Sequence, residues 1–224
     1  MTTGTAKPPS KAAFVRDLLG RSDYAIIGEI VPDGAKVLDL GCGDGELLEW
    51  LVTNKGVDAR GVEIAAEKVQ RAIARGVSVF QGNIDAGLAD YPDAAFDYVI
   101  LSQTLQETMH PRRVLHEMAR VGRRVIVAFP NFGHWRVRWA MLTSGRAPRT
   151  SLFPYAWYES PNIHFLTVQD FEELAAMEGL AVERRYFLSG HRKVRWVPNL
   201  AAEVAVFLLR TPQPKPAASG SAMK

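Results

Sequence analysis

The sequence predicts an α/β protein in which helices cover both faces of a mostly parallel sheet. Strand and helix patterns alternate over residues 36–130, and a glycine-rich turn follows the first apolar strand. Residues 96–102 form a continuous apolar run, which is typical of a strand covered on both faces. The chain has 224 residues, and we expect one domain over residues 11–210. Residues 1–10 and 211–224 are rich in Pro, Ala, Ser, Gly and Thr and are predicted to be disordered tails.

The first half of the chain supplies the alternating elements. Residues 11–30 favour helix on either side of Gly20, with Ser22 or Asp23 as a helix cap. Pro111 is predicted to open a later helix at its first position. Strands are predicted at 36–40, 57–63, 77–81, 96–102 and 123–130, and helices at 46–53, 66–75 and 111–121.

The alternation then stops. Residues 131–165 are predicted to be an irregular insertion. Order resumes with a helix from Thr167 to Gly179, where Asp170 stands at the capping-box position. Strands at 180–188 and 203–209 have a basic loop between them rather than a helix, which predicts an antiparallel hairpin at the sheet edge. The expected sheet has seven strands.

Composition excludes several classes of protein. Cys42 is the only cysteine, so the chain has no internal disulfide and no cysteine-rich zinc site. The run from Leu200 to Leu209 falls short of the ~20 residues of a membrane span and contains Glu203. Residues 1–10 lack the apolar core of a signal peptide, so we expect a cytoplasmic protein. A net charge of +3 does not by itself argue for a nucleic-acid partner.

The glycine-rich turn has the spacing G-x-G-x-G over Gly41, Gly43 and Gly45. Glycines let the backbone turn tightly and approach a ligand closely. The turn is flanked by acids at Asp39, Asp44 and Glu46. Carboxylates would repel the pyrophosphate that a dinucleotide site binds at a helix N-terminus, whereas they suit ammonium and sulfonium groups. The loop therefore predicts a site for S-adenosylmethionine.

Other polar residues follow the later strands. Glu63 stands about 20 residues beyond the glycines, where a carboxylate can accept hydrogen bonds from ribose hydroxyls. The segment from Gln81 to Asp85 could read an adenine edge, and Ser102 and Gln103 end the fourth strand at the rim where ligands bind. Each of these residues also has a purely structural interpretation, as a surface carboxylate or a polar loop residue.

Together, Asp39–Gly45, Glu63, Gly82-Asn83 and Phe96–Val99 resemble class I S-adenosylmethionine-dependent methyltransferases. A narrower resemblance spans nearly the whole ordered chain. Its motifs are similar to those of the methionine biosynthesis protein MetW family and lie at Leu101–Gln106, Phe129–Arg136, Tyr155–Tyr158, Pro161–His164 and Arg195–Asn199.

The resemblance implies that Asp39 and the glycines hold the methionine part of the cofactor and that Glu63 holds the ribose. Asn83 stands where many class I enzymes have Asp, and its amide oxygen would accept from adenine without the assistance of a charge. The cofactor expected is S-adenosylmethionine or S-adenosylhomocysteine. The candidate cofactor-binding residues are Asp39, Gly41, Cys42, Gly43, Gly45, Glu63, Ile64, Asn83, Ile84, Ser102 and Gln103.

The family also implies a role in methionine biosynthesis beside homoserine O-acyltransferase. Two functions stay open: a binding module that senses S-adenosylmethionine and docks on that enzyme, and a methyltransferase whose insertion closes over a small acceptor. The sequence contains no recognisable acceptor-activating motif, which favours the first. The arginines and aromatic residues of the insertion leave an RNA methyltransferase as a third hypothesis.

Residues outside the glycine loop give weaker indications. His134 and His164 lie in the insertion and could face the cofactor, although structural hydrogen bonding explains them better. Cys42 is better explained as a small buried residue than as a nucleophile. The insertion itself favours a cap on the sheet or a protein interface over a nucleic-acid groove.

Overall fold

A computed structural model describes residues 21–211. The predicted tail at 1–10, the helix predicted before Arg21 and all but the first residue of the tail at 211–224 lie outside the described residues. The strands are β1 (Lys36–Leu40), β2 (Asp58–Glu63), β3 (Ser78–Gln81), β4 (Phe96–Ser102), β5 (Gly122–Pro130), β6 (Ala181–Ser189), β7 (Arg192–Lys193) and β8 (Val204–Arg210).

Helices connect most of these strands. They are α1 (Ser22–Ile30), α2 (Glu46–Lys55), α3 (Ala66–Ala74), α4 (Pro111–Val121), α5 (Trp135–Ser144), α6 (Val168–Met177) and α7 (Pro198–Ala201). Short 3₁₀ turns follow β3 at Ile84–Ala86 and β4 at Leu105–Glu107.

Within residues 21–211 the strands form one sheet in the order β3-β2-β1-β4-β5-β8-β6-β7. The strands β1 to β5 are parallel, so their carboxyl ends meet at one edge. The strand β8 runs antiparallel to both β5 and β6. The strands β2 and β3 are added on one side of β1, and β4 and β5 are added on the other side. Because the strand order reverses between β1 and β4, a crevice opens beyond their carboxyl ends, where open α/β sheets bind ligands.

Two apolar layers hold the helices on the sheet. Alternate strand residues point to opposite faces, so Leu38 packs with α4 and α6 while Val37 packs with α1, α2 and α3. On the first face Phe129, Phe171 and Phe207 stack with ring centroids 4.8–5.9 Å apart. Both faces of the central strands β1, β4, β5 and β8 are therefore buried, as the continuous apolar run of β4 predicts.

The structure confirms the α/β fold, the mostly parallel sheet and the C-terminal antiparallel hairpin. The strands lie within a residue or two of their predicted limits, and Thr167 and Asp170 form the predicted capping box. Helix α2 runs two residues past its predicted end, to Lys55. The hairpin lies at the sheet edge as predicted, with β8 next to β5, and the two-residue β7 adds an eighth strand outside β6.

Three other local predictions are wrong. Helix α1 begins after Arg21, and the Asp23 carboxylate bonds to Arg21 and Ser102 instead of capping the helix. The insertion is not irregular throughout, because it contains the ten-residue α5. The basic loop before β8 contains β7 and the short α7.

Asn131 fixes the chain where it leaves β5. Its side chain is fully buried and donates to the backbone carbonyls of Asn199 and Ala202 at 3.1 and 2.8 Å. Its amide oxygen accepts from the backbone N–H groups of Gly133 and Val168 at 3.0 and 3.3 Å. One side chain therefore joins the ends of β5, α6 and α7.

The substitution Asn131→Ala should lower the free energy of unfolding by about 3 kcal/mol, because it leaves several buried backbone groups unpaired. Urea unfolding measures the change. The same substitution at Asn54, whose side chain makes one bond along α2 to the Trp50 carbonyl, should cost less than about 1 kcal/mol. Equal losses for the two variants would contradict this role of Asn131.

Candidate functional site

A cavity of about 600 Å³ opens at the carboxyl ends of β1 to β4, within the size range of small-molecule sites. Nine of the predicted cofactor residues line it, namely Gly41, Cys42, Gly43, Glu63, Ile64, Asn83, Ile84, Ser102 and Gln103. The other two, Asp39 and Gly45, are buried in the glycine loop and the strand before it. The residues that the sequence predicts to bind the cofactor therefore lie close together in the fold.

The glycine loop has a geometry that depends on its glycines. Gly41, Gly43 and Gly45 have φ angles of 71°, 58° and 78°, which side-chain-bearing residues rarely adopt. A Cβ on Gly41 would lie 2.7 Å from Thr104, and one on Gly45 would lie 2.8 Å from Val77. A Cβ on Gly43 would have no atom of the described residues within 4 Å. Gly41 and Gly45 are thus needed for packing, and Gly43 keeps open space beside the cavity.

Glu63 ties this loop to the end of β2. Its carboxylate is buried, and its two oxygens accept from the backbone N–H groups of Gly43 and Ala65, each at 2.9 Å. A carboxylate can accept about four hydrogen bonds, so capacity is left for ligand hydroxyls on the cavity side. Glu63 therefore holds the loop and faces the site at the same time.

Asp39 is the second buried acid of the site, with 3% of its surface exposed. Burial raises the pKa of this carboxyl to about 7, because it loses the water that would solvate its charge. The Arg21 guanidinium opposes this rise in the pKa, and the carboxylates of Asp23 and Glu63 add to it. A cationic ligand group near Asp39 would favour its charged form.

Arg21 and Asp23 belong to the site although the sequence did not indicate them. The Arg21 guanidinium donates to Asp23 at 3.0 Å and to the Ser102 hydroxyl at 3.2 Å, and that hydroxyl donates to Asp23. These bonds fasten the start of α1 to the end of β4. Because about 80 residues separate the partners, no local spacing could have revealed them.

The outer acids of the loop, Asp44 and Glu46, contribute less negative charge to the site than the sequence predicts. Asp44 is paired with Arg71 at 3.0 Å, and Arg75 is paired with Glu46 and Glu49 at 3.4 and 2.8 Å. All of these side chains are partly exposed, so their charges are offset at the rim of the cavity. The acidic character of the site comes from the two buried residues, Asp39 and Glu63.

The loop after β3 carries the residues expected near adenine. The Asn83 amide oxygen accepts from the Asp85 backbone N–H at 2.9 Å and so caps the following 3₁₀ turn. The Asp85 carboxylate accepts from the Met109 and His110 backbone N–H groups at 3.0 and 2.9 Å. One lone pair of the Asn83 oxygen is still available for a ligand. Ile64, 63% exposed, offers an apolar surface in the same cavity.

The histidines of the insertion lie outside the cofactor cavity. The cavity lining, drawn from residues 21–211, includes neither His134 nor His164. His134 is buried and accepts from the Arg136 backbone N–H at 3.4 Å, and burial lowers its pKa. Burial raises the pKa of the Cys42 thiol, which makes Cys42 a packing residue rather than a nucleophile.

The described residues contain neither a metal-binding group of side chains nor a membrane-spanning helix. No group of three His, Cys, Asp or Glu side chains among residues 21–211 could hold a metal ion. In the same part of the chain, every helix is too short or too polar to cross a membrane.

The fold and cavity define a protein with the class I methyltransferase fold. The chain is similar to the putative methyltransferase in a complex with the Trm112 methyltransferase activator from Haloferax volcanii. The TM-score is 0.64 at 17% identity, and the match covers 93% of this chain and 100% of the other. A possible histamine N-methyltransferase from Thermotoga maritima matches with a TM-score of 0.62 at 17% identity, over 89% and 97% of the two chains.

The family model described as methionine biosynthesis protein MetW matches residues 21–209. The chain belongs to the MetW family. It is 34% identical over 207 residues to a bifunctional methionine biosynthesis protein MetXA/MetW from Rhodopirellula baltica, covering 87% of this chain and 33% of the relative. A ubiquinone biosynthesis O-methyltransferase from Photorhabdus laumondii is 32% identical over 94 residues, or 39% and 38% of the two chains. The chain thus spans about a third of the length of these relatives.

Asp39→Asn should stabilise the ligand-free protein at high pH. A carboxyl whose pKa is raised on folding favours the folded state below its unfolded pKa of about 4, and this stability is lost as pH rises through about 7. Asn stays neutral throughout. The melting temperature of the Asp39→Asn variant should therefore exceed that of the natural chain by about 3 °C or more at pH 8, with a smaller difference at pH 5.

Thermal unfolding at the two pH values measures this. The exposed Asp58, at the start of β2, provides the matched control Asp58→Asn, which should change the melting temperature equally at both. A stabilisation by Asp39→Asn that does not depend on pH would contradict the buried-acid account.

Proposed function

We propose that this chain binds S-adenosylmethionine in the cavity and acts in methionine biosynthesis together with homoserine O-acyltransferase. The observation that carries the first part is the buried Glu63 carboxylate, held by Gly43 and Ala65 at the cavity wall. The family of the chain supports the second part. A ligand with an anionic pyrophosphate at the glycine loop fits the two buried acids less well.

The lining residues fit the parts of this cofactor. The glycine loop and Asp39 would hold the cationic methionine end, since burial leaves Asp39 without a cation that fully offsets its charge. Glu63 would accept from the ribose hydroxyls, and Ile64 and Ile84 would contact the adenine ring. When bound, S-adenosylmethionine supplies an electrophilic methyl group.

The buried acids distinguish this cofactor from a dinucleotide. A pyrophosphate at the start of α2 would stand close to Asp39 and Glu63, and two carboxylates in a water-poor site repel an anion strongly. An ammonium group at the same place would lower the pKa of Asp39 and gain a charged partner. The site therefore favours a ligand with positive charge at the loop and hydroxyls near Glu63.

A working partnership with the acyltransferase is supported by the Rhodopirellula baltica relative, whose name joins MetXA and MetW in one polypeptide. S-adenosylmethionine is made from methionine, so a chain that binds it can report the output of the pathway to an enzyme near its beginning. In this function the cavity senses the methyl donor rather than consuming it.

The second candidate is a methyltransferase that acts on a small acceptor. A neighbouring cavity of about 400 Å³ shares Arg21 and Gln103 with the cofactor cavity and reaches His191 and Glu203. An acceptor placed there would be next to the cofactor, and positioning accounts for much of the rate of a methyl transfer. This candidate predicts that S-adenosylhomocysteine is formed when an acceptor is supplied.

Glu63→Gln tests the cofactor site. Loss of the charged acceptor should weaken S-adenosylmethionine binding by about 1.5–3 kcal/mol, a roughly 10-fold to 150-fold rise in Kd. Glu67→Gln is the matched control, because Glu67 is exposed on α3 and does not line the cavity, and it should leave Kd within about twofold. Calorimetric titration of the full chain measures both.

The same three proteins test the working partnership. The acyltransferase rate should change when the natural chain or Glu67→Gln is added, and the effect should depend on S-adenosylmethionine. With Glu63→Gln that dependence should require at least tenfold more ligand. No heat with the folded natural chain would refute the cofactor proposal, and an unchanged acyltransferase rate would refute the partnership.

A further inference from the structure

Helix α5 carries an apolar side that the fold does not bury. Val137 is the buried residue of the helix, whereas Trp135, Trp139 and Leu142 are 50%, 61% and 79% exposed. At 100° per residue these three positions fall within about 60° of one another and opposite Val137. The helix therefore buries one small residue and leaves two indole rings largely exposed to solvent.

A second exposed segment lies beside α5. Arg138, on the flank of the helix about 60° from Trp135, lines a groove of about 610 Å³ with Val197 and Leu200. Trp196, next to that groove, is 84% exposed. We call this surface the tryptophan face; it consists of Trp135, Trp139, Leu142, Trp196, Val197 and Leu200.

Hydrogen bonds hold the segment of the tryptophan face around Asn199 in place. Asn131 bonds to the Asn199 carbonyl, and the Asn199 side chain bonds to the Val168 backbone N–H and to Gln169 at 3.1 and 3.0 Å. Val197 has a φ of 43°, which is a strained conformation for a β-branched residue. Strain of this kind persists only where the surroundings enforce it, and it concentrates at functional surfaces.

The composition of this face is that of a protein interface. Tryptophan and arginine are the residues most enriched among energetically dominant interface contacts. Arg136 lies over Trp135 with its guanidinium carbon 5.4 Å from the ring centroid and pairs with Glu203 at 3.7 Å, so its charge is already partly offset. A partner that covers the face should therefore be apolar at its centre. The cofactor cavity is lined by a different set of residues, so cofactor binding does not account for these side chains.

We propose that the tryptophan face is the docking surface for homoserine O-acyltransferase. The inference rests on the proposed function and adds the place of contact. In the Rhodopirellula baltica relative the matched region is a third of a polypeptide whose name also includes MetXA, so the two parts are covalently joined there. Fusion keeps the two parts at high effective concentration, and in this chain α5 with its neighbouring segment offers an exposed apolar surface for the contact.

The test measures binding of the full chain to purified acyltransferase of the same organism, by biolayer interferometry. Trp139→Ser and Trp196→Ser should each raise Kd at least about tenfold. Leu142→Ser, at a position 79% exposed and so harmless to folding, should also raise it. Ile73→Ser is the matched control on α3 at the opposite edge of the sheet, 55% exposed, and should stay within about twofold.

Calorimetry on the same variants separates this inference from the proposed function. All four should bind S-adenosylmethionine like the natural chain. If the natural chain binds the acyltransferase and the tryptophan variants bind it equally well, the docking surface is wrong while the partnership stands. If the natural chain does not bind the acyltransferase, both are wrong.

Sedimentation and hydrogen exchange would detect other occupants of the tryptophan face. If the tryptophan variants convert a dimer of the natural chain to a monomer in sedimentation and leave acyltransferase binding intact, the face holds a second copy of the chain. If removal of residues 1–20 sharply increases hydrogen exchange in α5, the chain's own N-terminal segment covers it. Either result overturns the proposal.

Discussion

The site depends on two carboxylates buried against a glycine turn. Glu63 accepts from the Gly43 N–H and so fixes the turn, while Asp39 lies at the end of β1 with its pKa raised to about 7. Burying a carboxylate is unfavourable unless it is bonded or paired, and Asp39 faces Arg21 as its main opposing charge. The arrangement therefore favours a ligand that brings a positive charge to the loop.

The rest of the fold supplies the rigid surroundings of this site. Parallel strands bring Gly41, Glu63, Asn83 and Ser102 to one edge, and Arg21 and Asp23 fasten α1 over it. The Gln103 N–H donates to the Ala128 carbonyl at 2.8 Å, so the cavity wall is joined to β5. Just past the end of β5, Asn131 begins the network that joins α6 to α7, and α7 carries Leu200 of the tryptophan face. The cofactor cavity and the tryptophan face are thus separate surfaces that hydrogen bonds connect through the end of β5.

The sequence predicted the features that are encoded locally. Glycines at 41, 43 and 45, the acid at 63 and the capping box at Thr167 each follow from the residues and their spacing. The Arg21–Asp23–Ser102 bonds could not be predicted, because they join residues far apart in the chain. Helix α5 was missed for a different reason: with Val137 as its buried residue, its apolar positions do not form the core-facing stripe by which surface helices are recognised. The sequence also predicted that Asp44 and Glu46 favour a cationic ligand, but ion pairs with Arg71 and Arg75 offset part of their charge.

The most direct measurement is the proton released when S-adenosylmethionine binds. Titrations at pH 6.5 in two buffers of different ionisation enthalpy give this number. A ligand ammonium near Asp39 should lower the pKa of its carboxyl from about 7, so binding should release up to about 0.8 proton at pH 6.5, where the ligand amine is already charged. In Asp39→Asn the release at pH 6.5 should disappear. Binding with identical heats in both buffers, or with release that persists in Asp39→Asn, would contradict the account.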